Sequence, residues 1–216
     1  MRGRPIGVLG GTFDPVHHGH LRPALELLED LGLAEIRFIP CRIPAHRGEP
    51  RASAGARARM LEAAIAGQPG FVLDHRELER EGPSYMADTL TSLRRSFPDQ
   101  PLCLILGQDA FAALESWHRW REIPALAHLL VLERPGYSPE LPPPLAALLE
   151  NRRLREPHEL CHAPGGGILL HAVTQLAISA TDIRERLASG RSVRYLLPET
   201  VNHFIETQGL YDTHRQ

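Results

Sequence analysis

The segment Gly10–His20, with the sequence Gly-Gly-Thr-Phe-Asp-Pro-Val-His-His-Gly-His, combines residue types that suit phosphate chemistry. Its two leading glycines allow a sharp turn and a close approach of the backbone to a ligand. An apolar run precedes the turn and leucines at helical spacing follow it, so the pattern predicts strand, turn and helix. A helix start offers free N–H groups and a positive dipole end to an anion. His17 and His20 would face the same anion if both lie in the first helical turn.

Two other interpretations of this segment stay open. One is a glycine turn followed by surface histidines. The other is a metal site, which ranks lower because no carboxylate or cysteine stands at ligand spacing beside His17 and His20. We therefore predict no metal held by the protein itself.

A second candidate anion site lies in the segment Ile178–Arg184. Ser179 or Thr181 could cap a helix there, and Arg184 follows Thr181 by three residues on the same helical face. A hydroxyl, helix N-terminal amides and a guanidinium together would hold a phosphate group. The alternative is an ordinary helix cap with a solvated arginine.

Strand-like and helix-like segments alternate along the chain. Strands are predicted near 5–9, 36–40, 70–74, 102–106, 129–132 and 168–170. Helices are predicted near 21–31, 56–66, 86–97, 116–123, 181–188 and 198–206. This alternation with short links predicts an α/β fold built on a doubly wound parallel sheet. In such sheets ligands bind beyond the carboxyl ends of the strands, where the strand order switches.

That rule predicts which polar residues meet at one edge of the sheet. Gly107 and Asp109 follow the apolar run 102–106, which is typical of a central parallel strand. Asp109 is placed to accept a ribose hydroxyl, and Gly107 would let a nucleoside approach the backbone. A strand-end turn with Asp109 capping a helix is the alternative. The loop 41–47 and Arg134 also follow predicted strands and should join the same site.

Composition narrows the class of protein. With 216 residues, 43% hydrophobic and 23% charged, the chain is predicted to form a single domain with a buried core. A net charge of −2 gives no reason to expect nucleic acid or a membrane as partner, and no apolar run approaches transmembrane length. All 24 residues counted as lysine or arginine are arginine, which excludes a Schiff-base lysine and a Walker A loop.

The cysteines and the subdivision of the chain complete this picture. Cys41, Cys103 and Cys161 are odd in number and far apart, so with the absence of a signal-like start they predict a cytoplasmic location. Within a single domain of residues 1–216, segments 1–134 and 165–190 should form the nucleotide-binding sheet. Residues 135–164 should form a proline-rich insertion on the surface, and residues 191–216 a helical C-terminal segment.

The pattern His17-x-Gly19-His20 resembles the signature of the nucleotidylyltransferase superfamily, whose fold is a Rossmann-like sheet. The longer string that starts at Gly10 is similar to that of the bacterial nicotinate-nucleotide adenylyltransferase family. Ser179-x-Thr181-x-x-Arg184 resembles the second superfamily signature, which in relatives holds the β- and γ-phosphates of ATP; here residue 180 is alanine where many relatives have serine. The resemblance implies the catalytic residues His17, His20 and Arg184. It implies the ATP-binding residues Gly10, Gly11, Thr12, Phe13, Gly107, Asp109, Ser179 and Thr181.

Three further segments resemble substrate motifs of the same family. They are Ser84–Thr89, with Met86 in place of a threonine, Ser116–Trp120 and Glu133–Gly136. Trp117 would stack on a cationic pyridinium ring, and Met86 would meet the nicotinate through its backbone N–H. The alternative for Trp117 and Trp120 is core packing, which we favour for Trp120. The alternative for Arg47 and Arg134 is that they are solvated surface residues. The implied substrate-binding residues are Arg47, Tyr85, Met86, Thr89, Trp117, His118 and Arg134.

The resemblance implies in-line transfer of the adenylyl group of ATP to nicotinate mononucleotide, with Mg²⁺ carried by the ATP. The products are deamido-NAD and pyrophosphate. Two alternatives stay open. One is an adenylyltransferase for nicotinamide mononucleotide or another phosphomonoester such as phosphopantetheine. The other is a non-catalytic nucleotide-binding sensor. Whether the chain forms a homo-oligomer is also left open.

Overall fold

A computed structural model describes residues 3–45, 48–133, 136 and 139–211, which contain a six-stranded parallel sheet flanked by helices. The strands are β1 (Ile6–Gly11), β2 (Glu35–Pro40), β3 (Phe71–Leu73), β4 (Leu102–Gly107), β5 (His128–Glu133) and β6 (Ile168–Ala172). The α-helices are α1 (His18–Asp30), α2 (Ala54–Ile65), α3 (Arg76–Glu79), α4 (Met86–Ser96), α5 (Gln108–Ala112), α6 (Ile123–Leu126), α7 (Pro143–Arg152), α8 (Ala180–Ala188) and α9 (Glu199–Gln208). Short 3₁₀ turns cover Leu114–Ser116, Trp120–Glu122 and Pro157–Cys161.

The strand order in the sheet is β3-β2-β1-β4-β5-β6, and every pair is parallel. The chain runs outward from β1 to β3, then returns to the centre and runs outward again from β4 to β6. The order therefore switches between β1 and β4. This confirms the predicted doubly wound parallel sheet and its Rossmann-like character, and it locates the expected ligand crevice between those two strands.

The register of β1 and β4 opens that crevice. Their pairing extends from Ile6↔Leu102 only to Val8↔Leu104. Beyond this point β1 stays paired with β2 as far as Gly11, while β4 stays paired with β5 as far as Gly107. The two central strands thus separate at their carboxyl ends, and each carries a glycine to the edge of the gap.

Apolar residues cover both faces of the sheet. On one face Leu27 of α1, Met60 of α2 and Ile205 of α9 join one buried cluster. On the other face a second cluster includes Leu90 of α4 and Leu145 of α7. Burial of a central sheet on both faces explains why its strands are nearly continuous apolar runs.

Two local predictions differ from the structure, those for residues 116–123 and for Ser84, and the segment 135–164 contains a helix that was not predicted. Residues 116–123 do not form one helix but two 3₁₀ turns and the start of α6. Arg119 between them adopts the left-handed conformation, with φ of 54°, which interrupts a right-handed helix. The proline-rich segment 135–164 contains α7, whose Leu145 is fully buried against the sheet. Ser84 does not cap α4, because its hydroxyl accepts the backbone N–H of Arg42 instead.

Among the helices of the described residues, none is both long enough and apolar enough to cross a membrane.

Candidate functional site

Two groups of side chains lie around the crevice beyond β1 and β4. We call the first the histidine side, which comprises the loop Gly10–His20 and the start of α8. The start of α8 joins this group through a hydrogen bond of Arg184, although Ser179, Thr181 and Arg184 line neither of the two cavities described below. We call the second the aromatic side, which comprises Tyr85, Met86, Trp117 and His118. Each group follows the carboxyl end of a strand or begins a helix, as a doubly wound sheet requires.

On the histidine side, His17 precedes α1 and His20 lies in its first turn. Their rings stack with centroids 3.8 Å apart, which confirms that they share one helical face. His20 Nδ1 accepts the backbone N–H of His17 at 3.3 Å, so in a neutral ring the proton is carried on Nε2. His20 can therefore donate a hydrogen bond from its outer nitrogen to an anionic oxygen.

His17 is more deeply placed than the sequence predicted. His17 is only 5% exposed and so lies deeper than the half-buried His20. Its contact with an anion stays a prediction. Burial and the neighbouring His18 lower the pKa of His17 to about 4, which keeps its ring neutral near pH 7. The ring lies against Gly19, where a Cβ would approach within 2.9 Å of His17 Nδ1. This packing leaves no room for a side chain at the position between the two histidines.

The start of α8 joins the histidine side through Arg184. Ser179 caps the helix, with its hydroxyl accepting the N–H of Asp182 at 3.1 Å. Arg184 Nη2 donates to Thr181 Oγ1 at 3.2 Å, which confirms that the two side chains share a face. Arg184 Nη1 donates to the backbone carbonyl of Asp14 at 2.6 Å. The two predicted anion motifs, far apart in sequence, are therefore bonded directly to each other.

A buried arginine fastens the floor of the histidine side. Arg57 of α2 is only 1% exposed, and it donates to the carbonyls of Thr12, Cys41, Arg42 and Ala52 at 2.7, 2.7, 3.3 and 3.2 Å. One guanidinium thus ties the turn after β1 to the loops after β2 and before α2. A planar fork with five donors is suited to such a junction. Burial raises the pKa of the adjoining Cys41 thiol, so this cysteine stays protonated.

On the aromatic side, two segments meet across the crevice. The rings of Tyr85 and His118 stack with centroids 4.2 Å apart. Met86 begins α4, so its backbone N–H has no acceptor within the helix. Arg119 pairs with Asp88 and Glu122 on the surface, which holds the segment around Trp117 against α4.

Two cavities lie in the crevice. The first has a volume of about 480 Å³ and the second about 220 Å³. The predicted site residues that line the first cavity are Gly10, Gly11, Thr12, Tyr85, Met86, Gly107, Asp109, Trp117 and His118. The second cavity is lined by His20 together with Gly19, Leu132 and Gln175. Gly107 and Asp109 line both, so the two cavities meet at the end of β4.

Two predicted ligand contacts lie beneath the surface of the crevice. The Phe13 ring is 2% exposed and packs into the core, with its centroid 5.1 Å from that of His20. Thr89 is fully buried, and its hydroxyl donates to Glu77 Oε1 at 2.6 Å. Glu77 itself lines the first cavity and was not predicted. Both side chains therefore lie behind the residues that line the cavities. Phe13 is held there by apolar packing, and Thr89 by its bond to the buried Glu77 carboxylate.

Other parts of the site were invisible to sequence patterns or fall outside the described residues. The structural roles of Asp14 and Arg57 were missed. Asp14 bonds to Arg51 and Tyr211, which are 37 and 197 positions away, and Arg57 bonds to backbone carbonyls such as that of Thr12, which leave no side-chain pattern. Arg47 and Arg134, predicted to bind substrate, lie outside the described residues. Within the described part of the chain, no three His, Cys, Asp or Glu side chains are grouped as metal ligands.

Comparison with known proteins agrees with this geometry. Residues 8–186 match the cytidylyltransferase-like family model. The chain is 54% identical over 207 residues to the "Probable nicotinate-nucleotide adenylyltransferase" of Methylococcus capsulatus, covering 95% of this chain and 99% of that protein. It is 52% identical over 208 residues to the protein of the same name from Halorhodospira halophila, covering 96% and 95%.

Solved structures share the fold. The nicotinic acid mononucleotide adenylyltransferase of Plasmodium falciparum, solved with APC and with NaAD, superimposes with a TM-score of 0.73 at 16% identity. The match covers 99% of this chain and 100% of that one. At this identity the likeness concerns the fold alone. The family is shown instead by the bacterial relatives, which are 54% and 52% identical to this chain. The chain is a member of the cytidylyltransferase-like nucleotidyltransferases and, within them, of the nicotinate-nucleotide adenylyltransferase family.

Proposed function

We propose that this protein is a nicotinate-nucleotide adenylyltransferase of NAD biosynthesis, which joins ATP and nicotinate mononucleotide to give deamido-NAD and pyrophosphate. The observation that carries this proposal is the pair of cavities meeting at Gly107 and Asp109. Such a pair can hold two nucleotides with their reacting phosphates at the junction. Family membership and the order of the sheet agree with it.

The reaction needs no covalent enzyme intermediate. An oxygen of the mononucleotide phosphate attacks the α-phosphorus of ATP, and the bond from that phosphorus to the bridging oxygen of the β-phosphate breaks. Pyrophosphate leaves in line with the attacking oxygen. Catalysis therefore consists of holding the two phosphates in line and stabilising the charge that spreads over their oxygens.

We assign these tasks to the histidine side. His20 donates from Nε2 to the α-phosphate, and neutral His17 holds the His20 ring in place. Arg184, Ser179, Thr181 and the first amides of α8 bind the β- and γ-phosphates. The turn at Gly10–Thr12 brings backbone N–H groups close to the phosphates, and Asp109 accepts a ribose hydroxyl.

The divalent metal belongs to the ATP in this proposal. Mg²⁺ prefers oxygen ligands, keeps several waters and is commonly bound through substrate phosphates and one or two carboxylates. When bound, the ion would neutralise charge on the leaving pyrophosphate.

The free state of the three cysteines is compatible with the predicted cytoplasmic location. That location stays a prediction, as does any homo-oligomer.

We assign the mononucleotide to the aromatic side. Trp117 offers a ring face to the cationic pyridinium. The N–H of Met86 offers a donor to the nicotinate carboxylate, which only accepts hydrogen bonds. A carboxylate can accept bonds at both oxygens, whereas nicotinamide has one carbonyl oxygen and an NH₂, so in a pocket of several N–H donors the NH₂ would leave one donor unpaired. Since an unpaired buried polar group costs about 1–3 kcal/mol, we expect a preference for the acid of about 10-fold to 10²-fold.

The test is a pyrophosphate-release assay with purified protein, ATP and Mg²⁺. We expect turnover with nicotinate mononucleotide and a kcat/KM at least about tenfold lower with nicotinamide mononucleotide. Equal values would assign the chain to a different specificity within the family. No turnover with either mononucleotide, despite ATP binding in calorimetry, would identify a non-catalytic nucleotide sensor instead.

A further inference from the structure

Asp14 is a buried carboxylate that touches neither cavity, yet it lies at the centre of the histidine side. It is 4% exposed. Its Oδ2 accepts the N–H of Arg51 at 2.8 Å, and its Oδ1 accepts the N–H of Ala52 at 3.1 Å. The Tyr211 hydroxyl donates to Oδ1 at 2.6 Å across 197 residues of sequence. Buried carboxylates need such partners, so this one fixes two distant segments of the chain, residues 51–52 and Tyr211, beside the loop that carries Asp14.

The same residue holds Arg184. The Asp14 carbonyl accepts a hydrogen bond from Arg184 Nη1 at 2.6 Å, while the Asp14 Oδ2 lies 3.9 Å from that nitrogen. The guanidinium is thus bonded to the backbone of Asp14 and stops short of a close ion pair with its carboxylate. A close pair would offset part of the positive charge that Arg184 presents to an anionic ligand.

Tyr211 is the group that restrains the carboxylate. Burial and the neighbouring Asp14 raise the pKa of the Tyr211 phenol, so it remains a donor throughout the physiological range. Its short bond occupies the face of Oδ1 and holds the carboxylate plane toward the amides of residues 51 and 52. Without it, only the two backbone amides hold the carboxylate, and it can shift toward the guanidinium, whose Nη1 lies 3.9 Å from Oδ2.

We propose that Tyr211 and Asp14 are positioning residues for Arg184, and that the bond between them keeps this arginine available to the phosphates of ATP. The inference rests on the proposed function, because it takes the ligand of Arg184 to be the triphosphate. It makes the segment after α9 a working part of the phosphate site, although Tyr211 itself touches no ligand. Neither residue was predicted to have a role.

The first test compares Tyr211→Phe with Tyr195→Phe. Tyr195 is 82% exposed and lies outside both cavities, so it controls for the loss of one phenol oxygen. For Tyr211→Phe we expect KM and calorimetric Kd for ATP to rise about threefold to tenfold, while KM for the mononucleotide stays unchanged. A merely structural role would lower Tm and affect both substrates alike. Titrations are made well below the Tm of each variant, so that a destabilised protein is still folded.

The second test is a double-mutant cycle on ATP binding with Arg184→Ala. If Tyr211 acts through Arg184, Tyr211→Phe should have little effect on Kd for ATP once Arg184 is alanine. Equal effects of Tyr211→Phe in both backgrounds would overturn the proposal. So would an unchanged ATP affinity in the single variant. Failure of the proposed function is distinguishable, since the unmodified protein would then release no pyrophosphate from ATP and nicotinate mononucleotide.

Discussion

The histidine side of the crevice is fastened from below by buried hydrogen bonds, whereas the aromatic side is held by stacked rings and exposed ion pairs. Beneath the histidines, Arg57 and Asp14 bond to backbone groups with their side chains almost fully enclosed. On the aromatic side, Tyr85 stacks on exposed His118, and the pairs of Arg119 lie in solvent. Buried bonds resist distortion far more than exposed pairs do.

This contrast separates two requirements of the proposed reaction. Phosphates must be held in line to a fraction of an ångström, which demands rigid support. The pyridine ring only has to be recognised, and recognition tolerates adjustment of the contacting side chains. Five substitutions or conditions test this division, from the largest expected effect to the smallest.

Arg57→Met should be the most damaging change. It leaves four carbonyls without their donor, those of Cys41 and Ala52 in buried bonds and those of Thr12 and Arg42 in partly buried ones. We therefore expect a loss of unfolding free energy on the order of 3 kcal/mol. The matched control is Arg59→Met on the same helix, since Arg59 is exposed and lies over the Phe204 ring. Urea denaturation followed by circular dichroism measures both. Similar losses in the two variants would contradict a special role for the buried guanidinium.

His20→Ala should abolish most of the catalysis without unfolding the protein. Loss of one donor to the transition state lowers kcat by about 10²-fold or more. His203→Ala on α9 is the control, because that residue is exposed and distant in the fold. Steady-state pyrophosphate release gives kcat for each. Near-normal turnover in His20→Ala would remove His20 from the mechanism.

Acidification should weaken the histidine side through His17. The folded protein holds the pKa of His17 at about 4, below its ordinary value of 6.5, so the unfolded chain binds a proton first. The contribution of His17 to the free energy of unfolding is therefore complete above pH 6.5. It falls by about 1.4 kcal/mol per pH unit between pH 6.5 and about 4. Urea denaturation across this range should give a shallower pH dependence for His17→Asn. An unchanged slope would show that folding does not lower the pKa of His17.

Trp117→Ala should affect one substrate. We expect kcat/KM for the mononucleotide to fall about tenfold or more, with KM for ATP unchanged. Trp120→Ala is the matched control, because Trp120 packs against the same core cluster without lining the cavity. Met86→Thr should stay within about threefold, since its proposed contact is a backbone N–H. Equal effects of the two tryptophan variants would mean that Trp117 serves packing alone.

Arg119→Ala should have the smallest effect. It removes exposed pairs with Asp88 and Glu122, which contribute little in solvent. KM for the mononucleotide should rise at most about threefold, and the difference should shrink in high salt. Measuring KM at low and high ionic strength checks this. A large, salt-independent loss would show that the aromatic side is as rigid as the histidine side.

The fold was predictable because its signals are local. Apolar runs marked each strand, and the glycines and histidines after β1 marked the crevice. Failures occurred where distant groups decided the outcome. Arg119 pairs with Asp88, which is 31 residues away, and adopts the left-handed conformation that interrupts the predicted helix 116–123. Ser84 met a donor 42 residues away instead of capping α4.

The sequence predicted the residues that line the cavities but not the buried residues that hold them in place. Motif residues such as Thr12 and Trp117 do line the first cavity. No pattern in a single sequence pairs Arg57 with Thr12 or Tyr211 with Asp14, because those bonds span 45 and 197 residues. Phe13 and Thr89 belong to matching motifs, yet they face inward. A motif shows that a residue is needed, not which way its side chain points.

The early end of pairing between β1 and β4 has a consequence for how such enzymes diversify. The gap arises from backbone register, since pairing stops at Val8↔Leu104 while both strands continue beside other neighbours. On the proposed assignment of the two sides, residues 84–86 and 116–118 can be exchanged to admit a different base while the scaffold around the phosphates is kept. New specificities can arise by replacing short surface segments, with no redesign of the sheet.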